Sequence, residues 1–201
     1  MKRLKLIILI ILPFYGCNSQ KTDRAEYKIY EDTVTGWTTR YPTSFKLMTT
    51  EEINKLEGRG QTAMEETLDG ELILTHKNLL WLTKDQFNSF TSNSQPYDTT
   101  VDGPYNESQG LLYQALEETY TNQGIQFDVK YGTVKIDNLD FSTMETILYT
   151  PDRKKVLMTQ IMYDRLINGD ISLTLNINYN NEKDKAVLLD IINSSKLLKR
   201  D

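Results

Sequence analysis

The chain has 201 residues, 28 acidic against 23 basic side chains, a formal charge of −5 and one cysteine. That balance speaks against binding to nucleic-acid phosphates or to an anionic bilayer surface. A single cysteine leaves no internal disulfide, so stability must come from the core of what the length suggests is one domain.

The N-terminus carries Lys2, Arg3 and Lys5, an apolar stretch from Leu4 to Phe14 in which Lys5 is the one charge, and then Tyr15-Gly16-Cys17. A basic head, a short apolar run and a small residue before a cut form the layout of a secretory signal. The run is shorter than the roughly 20 residues that cross a hydrocarbon core. Attachment of a diacylglycerol needs a thiol, and the peptidase needs a small residue ahead of it; Cys17 and Gly16 meet both needs. The pattern resembles the lipobox of bacterial lipoproteins, with Phe14 where Leu is usual and Tyr15 where a small residue is usual. The departures leave open an ordinary signal peptidase, or Cys17 as a plain thiol. The resemblance implies a signal peptide over 1–16, a lipidated Cys17 with a polar tether over 17–26, and a globular domain over 27–201. It also implies membrane attachment through acyl chains on Cys17. Asn18, in the place of the Asp that retains some lipoproteins at the inner membrane, favours the outer membrane of a bacterial envelope.

Tyr27–Tyr30 and Trp37–Tyr41 read as short strands, with Gly36 in the turn and Pro42 as a stop. Thr49 and Glu52 fit a capping box. Ile53, Leu56, Ala63, Met64 and Leu68 follow at helical spacing, with a bend or break expected at Gly58 and Gly60. Leu72–Leu82 reads as one strand, Gln86–Phe90 as a short helical piece, and Thr91–Glu107, rich in Ser, Asn, Asp, Pro and Gly, as the longest loop. A helix is expected over Glu107–Asn122, with Leu112, Ala115, Leu116 and Tyr120 inward and Gly124 past its end.

Ile125, Phe127, Val129 and Tyr131 alternate with polar residues and open a meander. Strands over Leu139–Tyr149 and Val156–Ile167 follow turns at Asp137-Asn138 and Pro151–Lys154. Asn168-Gly169 is a hairpin signal before Ile171–Tyr179. Asn180 or Asn181 caps a last helix with Val187, Leu188, Ile191, Ile192 and Leu198 inward. Strands joined by tight turns run antiparallel, and amphipathic helices must bury their stripes on a sheet. The expected class is α+β: a central antiparallel β-sheet flanked by helices on both faces.

Gly36-Trp37-Thr38-Thr39-Arg40-Tyr41-Pro42, the four-strand meander and a terminal helix ending in Ser194-Ser195-Lys196 are similar to the PsbP-like family. That family is an α/β/α sandwich that includes DcrB-type bacterial lipoproteins and a eukaryotic Ran-binding protein. The resemblance implies an accessory or binding role and carries no catalytic residue.

Chemistry-bearing candidates are few. His76, the only histidine, reads more simply as a polar residue on the exposed side of a strand than as a zinc ligand or a base. Glu51-Glu52, Glu65-Glu66 and Glu117-Glu118 are helix neighbours, whose side chains diverge by about 100 degrees. Asp98, Asp102 and Glu107 are oxygen donors in the expected loop and are the candidates for calcium, against the plainer reading of a turn at Gly103-Pro104. Asn176, Asn178 and Asn180 share one face of the fourth meander strand, as ligand contacts or as an ordinary exposed row. Trp37 and Trp81 suit a core before a groove. No phosphate loop, nucleophile elbow or paired metal motif occurs, and no cofactor is expected. The expected role is a lipid-anchored, non-enzymatic envelope protein acting as an accessory module on an envelope protein. The alternative is a small-molecule or metal-ion binding lipoprotein, and a hydrolase would need a convergent acid–base pair in a cleft.

Overall fold

The structure, a computed structural model, describes residues 26–71 and 75–198. The expected signal segment over 1–16, Cys17 and most of the expected tether lie outside the described residues. The chain runs β1 (Tyr27–Asp32), β2 (Trp37–Pro42), β3 (Lys46–Leu47), α1 (Thr50–Leu68), β4 (Lys77–Asn78), β5 (Leu82–Thr83), β6 (Ser89–Pro96) and α2 (Tyr105–Asn122). It continues through β7 (Gln126–Ile136), β8 (Leu139–Tyr149), β9 (Val156–Ile167), β10 (Ile171–Tyr179), α3 (Glu182–Asn193) and β11 (Lys196–Leu197). The main sheet is antiparallel in the order β3-β5-β6-β10-β9-β8-β7, with β4 also on β6. A smaller sheet, β1-β2-β11, shares one face of it with α3, while α1 and α2 lie on the other.

Local chemistry sets the meander. Asp137, Asn138, Asn168 and Gly169 all have positive φ, as tight right-twisting hairpins require. On the α3 side, Leu173, Leu175 and Ile177 of β10 are fully buried against Phe90, Phe141, Leu188 and Ile191. Trp37 completes this core: its indole N–H donates to Ser195 Oγ at 3.0 Å, and its ring stacks on Phe90 at 6.1 Å. Thr39 Oγ1 donates to the Ile191 carbonyl at 2.6 Å, so β2 and α3 are joined by polar as well as apolar contacts.

Several expectations are corrected. Helix α1 is continuous through Gly58 and Gly60, because neither glycine faces a neighbour that a break would serve and the Thr49–Glu52 capping box holds the first turn. The described part of Leu72–Leu82 is two short strands rather than one, β4 and β5, both pairing with β6. Gln86–Phe90 is not helical: Asp85 caps a bend there by accepting from the Phe87 and Asn88 amides, and Ser89 already begins β6. The expected loop over Thr91–Glu107 contains a central strand, since β10 on one side and β4 and β5 on the other satisfy the backbone of a Ser/Asn-rich segment. Helix α2 starts at Tyr105, and Leu112 is exposed while Tyr113 is buried. Leu198 lies past α3 and is exposed.

The turn at Gly36 (φ +69°) brings its backbone against the chain end, and the Leu198 amide donates to the Gly36 carbonyl at 2.9 Å. A Cβ there would stand 2.7 Å from the Leu198 carbonyl oxygen. Gly36→Ala is expected to destabilise the domain by about 1–3 kcal/mol, read as a lower urea midpoint; an unchanged midpoint would contradict this packing.

Candidate functional site

Alternation along β10 places Ser172, Thr174, Asn176 and Asn178 on the face opposite the dry core. The register sets beside them Leu166, Asp164, Met162 and Gln160 of β9 and Gln95, Asn93, Thr91 and Ser89 of β6. Strand β8 extends the face with Ser142, Met144 and Thr146. The floor is thus mostly amide and hydroxyl with two thioethers. Helix α2 covers it, and tyrosines hold it there. Tyr105 OH is 3.0 Å from Ser172 Oγ, Tyr113 OH donates to Asp164 Oδ2 at 2.9 Å, and Tyr120 OH donates to Gln160 Oε1 at 2.5 Å. Steps of eight and seven residues are about two turns each, so the three rings form one stripe.

Between the helix and the sheet, around Tyr120, lies a cavity of about 190 Å³ walled by Leu116, Met144, Met162, Gln160, Asn176 and Asn178, with Thr91 and Thr146. Thr146 is 3% exposed, yet its hydroxyl finds no hydrogen-bond partner among the described residues, and neither does the Asn176 amide. Asn176 is half-buried, and the polar atoms of both side chains are reachable from the cavity, so they are free to bond to a ligand there.

At the adjoining end of the same face sits Asp164, 1% exposed. The other buried acids among the described residues, Asp32 and Asp184, each pair with a lysine, Lys77 and Lys84. Asp164 has hydroxyls instead: Thr174 Oγ1 donates at 2.6 Å and Tyr113 at 2.9 Å. Burial pushes its carboxyl up to about 6, against the downward pull of those two donors. Burial likewise raises the Tyr105 and Tyr113 phenols and takes Tyr120 up to about 12, so all three stay protonated donors.

The residues singled out from sequence fall elsewhere or only partly here. Asn176 and Asn178 line the cavity, whereas Asn180 is exposed at the end of the strand and accepts from Asn88. Asp98 accepts from the Thr100 amide and hydroxyl, Asp102 accepts from the Asp98 amide, and Glu107 lies in the first turn of α2. The Asp98 and Asp102 carboxylates serve the loop itself, and among the described residues no group of three or more His, Cys, Asp or Glu converges on one point. His76 is half-buried against α1, with Nε2 2.6 Å from Glu57 Oε1, which also accepts from Asn78. No hydroxyl or thiol among the described residues bonds to that ring. Trp37 is core, and Trp81 is half-buried with its N–H on the Ser92 carbonyl. Sequence reasoning missed Asp164, Tyr105 and Tyr113. The tyrosine spacing was the signal available, but nothing adjacent to Asp164 sets it apart.

No family model matches the sequence, and no curated protein matches it. Among solved structures, the chain is similar to cyanobacterial PsbP (CyanoP) from Synechocystis sp. PCC 6803, at 10% identity and TM-score 0.58, over 89% of this chain and 96% of that one. A Bacteroides thetaiotaomicron structure matches at 10% identity and TM-score 0.45, over 86% of this chain and 48% of that one. The Saccharomyces cerevisiae Ran-binding protein Mog1p matches at 11% identity and TM-score 0.41, over 87% and 97%. The chain has the PsbP-like fold, as the Gly36–Pro42 segment, the meander and the terminal helix implied.

Asp164 makes stability depend on pH. Its folded value is raised above the ordinary 3.8, so the native state keeps a proton that the unfolded chain releases. Stability therefore falls as pH rises from about 4 to about 6, by a total of about 3 kcal/mol, and stays reduced above that window. Asp164→Asn can accept from Thr174 and donate to Tyr113 without charge. Its stability relative to the parent should rise by about 3 kcal/mol between pH 4 and pH 7.5, measured by urea unfolding; a difference that does not change with pH would contradict this.

Proposed function

We propose that this chain is a lipid-anchored, non-enzymatic module of the bacterial cell envelope that acts by binding, and that its ligand is a small molecule held between α2 and the sheet. The observation that carries the reading is the Thr146 hydroxyl and the Asn176 amide, both without partners among the described residues, in the wall of one cavity. A concave site with convergent polar groups is a usual place for a small molecule, and here those groups outnumber the apolar Leu116, Met144 and Met162. The anchor rests on Lys2 to Cys17, whose thiol and preceding Gly16 suit lipidation. Attachment through Cys17 keeps the domain near the membrane, where tethering raises the effective concentration of whatever it meets.

A second reading, an accessory module on an envelope protein, is favoured by β7. This 11-residue strand ends the main sheet and carries exposed Tyr131 and Val134. A free edge offers unpaired backbone groups to an added strand.

Cys17→Ser in the full chain should abolish labelling by a palmitate analogue and release the protein from the membrane fraction. Retained labelling would refute the anchor. Native mass spectrometry of the full chain, purified from its own membranes, should show a small molecule whose occupancy falls in Asn176→Leu. A crosslinked protein lost on mutation of Tyr131 and Val134, with no small molecule, would favour the second reading.

A further inference from the structure

The chemistry of the cavity wall narrows its ligand further, an inference that rests on the small-molecule reading above. No charged side chain lines the cavity. An ion there would lose its hydration without a counter-charge, which speaks against phosphates, carboxylates and amines. The wall's polar groups are amides and hydroxyls. Two are already part-used: Gln160 Oε1 accepts from Tyr120, and Asn178 Nδ2 donates to Ser89 Oγ at 3.0 Å. What remains is Gln160 Nε2 as donor, Asn178 Oδ1 as acceptor, Asn176 as both, and the hydroxyls of Thr91 and Thr146 as either. A ligand that meets donors and acceptors interspersed along one wall needs groups that both give and take hydrogen bonds, and hydroxyls do so. Leu116, Met144 and Met162 offer an apolar strip for the carbon face of such a molecule.

Size sets the second limit. About 190 Å³ is roughly six waters at about 30 Å³ each, the bulk of one sugar ring. It is smaller than the roughly 300–1,000 Å³ of pockets for drug-sized ligands, which suits a single ring better than a nucleotide or an acyl chain. We infer that the cavity between α2 and the sheet is a binding site for a neutral, polyhydroxylated small molecule of single-sugar size, recognised by Asn176, Thr146 and Gln160.

The test uses the full chain in detergent, ligand-observed NMR and calorimetry. The probes are glucose, xylose and myo-inositol, with glucuronate, glucose 6-phosphate and glucosamine as charged counterparts and cyclohexanol as an apolar one. At least one neutral polyol should bind in preference to its charged counterparts. Thr146→Val, nearly isosteric, and Asn176→Leu should each weaken it by about tenfold, the effect of one lost polar contact, with melting temperatures showing both variants folded. Binding of a charged probe or of cyclohexanol instead, weakened by the same variants, would keep a small-molecule site and overturn the neutral-polyol assignment. Binding of no probe, or binding that both folded variants leave unchanged, would overturn the assignment, and absence of any co-purifying molecule would then remove the reading beneath it.

Discussion

Strand β10 turns Leu173, Leu175, Ile177 and Tyr179 to one face of the sheet and Ser172, Thr174, Asn176 and Asn178 to the other. Every later feature depends on that alternation. Because side chains alternate with period two, the antiparallel register carries the division into β6 and β9. On the first face, α3 and the small sheet are held by complete burial of Trp37, Leu188 and Ile191. On the second face apolar burial is scarce, and α2 is held by tyrosine hydroxyls on Ser172, Asp164 and Gln160.

Those two attachments differ physically. Burying a large side chain fully contributes on the order of 1.5–3 kcal/mol, while a neutral hydrogen bond contributes a net of about 0.5–1.5 kcal/mol. One of the three tyrosine bonds ends on Asp164, whose burial without a cation opposes folding at neutral pH. Helix α1 adds little: it has no fully buried residue and rests chiefly on α2, as in the contact of Thr119 with Met64. The α1–α2 layer is therefore the weaker half of the sandwich. A binding site beneath it has a route for entry that one under α3 would lack, since elements that open for ligands come from the low-stability end of a structure.

The second half of the fold was legible because its signals are local. Asp137-Asn138 and Asn168-Gly169 fix two hairpins within the residues that form them, and the observed strands Leu139–Tyr149, Val156–Ile167 and Ile171–Tyr179 have the expected bounds. Strand β6 was illegible for the opposite reason. Ser92 and Ser94 occupy core-facing positions, and Ser92 is acceptable there only because its hydroxyl accepts from the Leu80 amide and donates to the Leu80 carbonyl. No window around Ser92 contains that partner's position. The glycines of α1 misled in a related way, since each costs a helix only about 1 kcal/mol and an exposed face asks nothing more of them. Of the site, the Asn176–Asn178 face could be read from alternation. Asp164 could not, because its neighbours Tyr163 and Arg165 point to the other side and its partners come from α2 and β10.

The claim that a polar, hydroxyl-held face makes α1 and α2 the weaker layer is tested most directly by native-state hydrogen exchange on the full chain. The account predicts that amides of α1 and α2 exchange together through an opening that costs less than global unfolding, while β2, β10 and α3 exchange only with global unfolding. Equal protection of α2 and α3, both at the global limit, would contradict it.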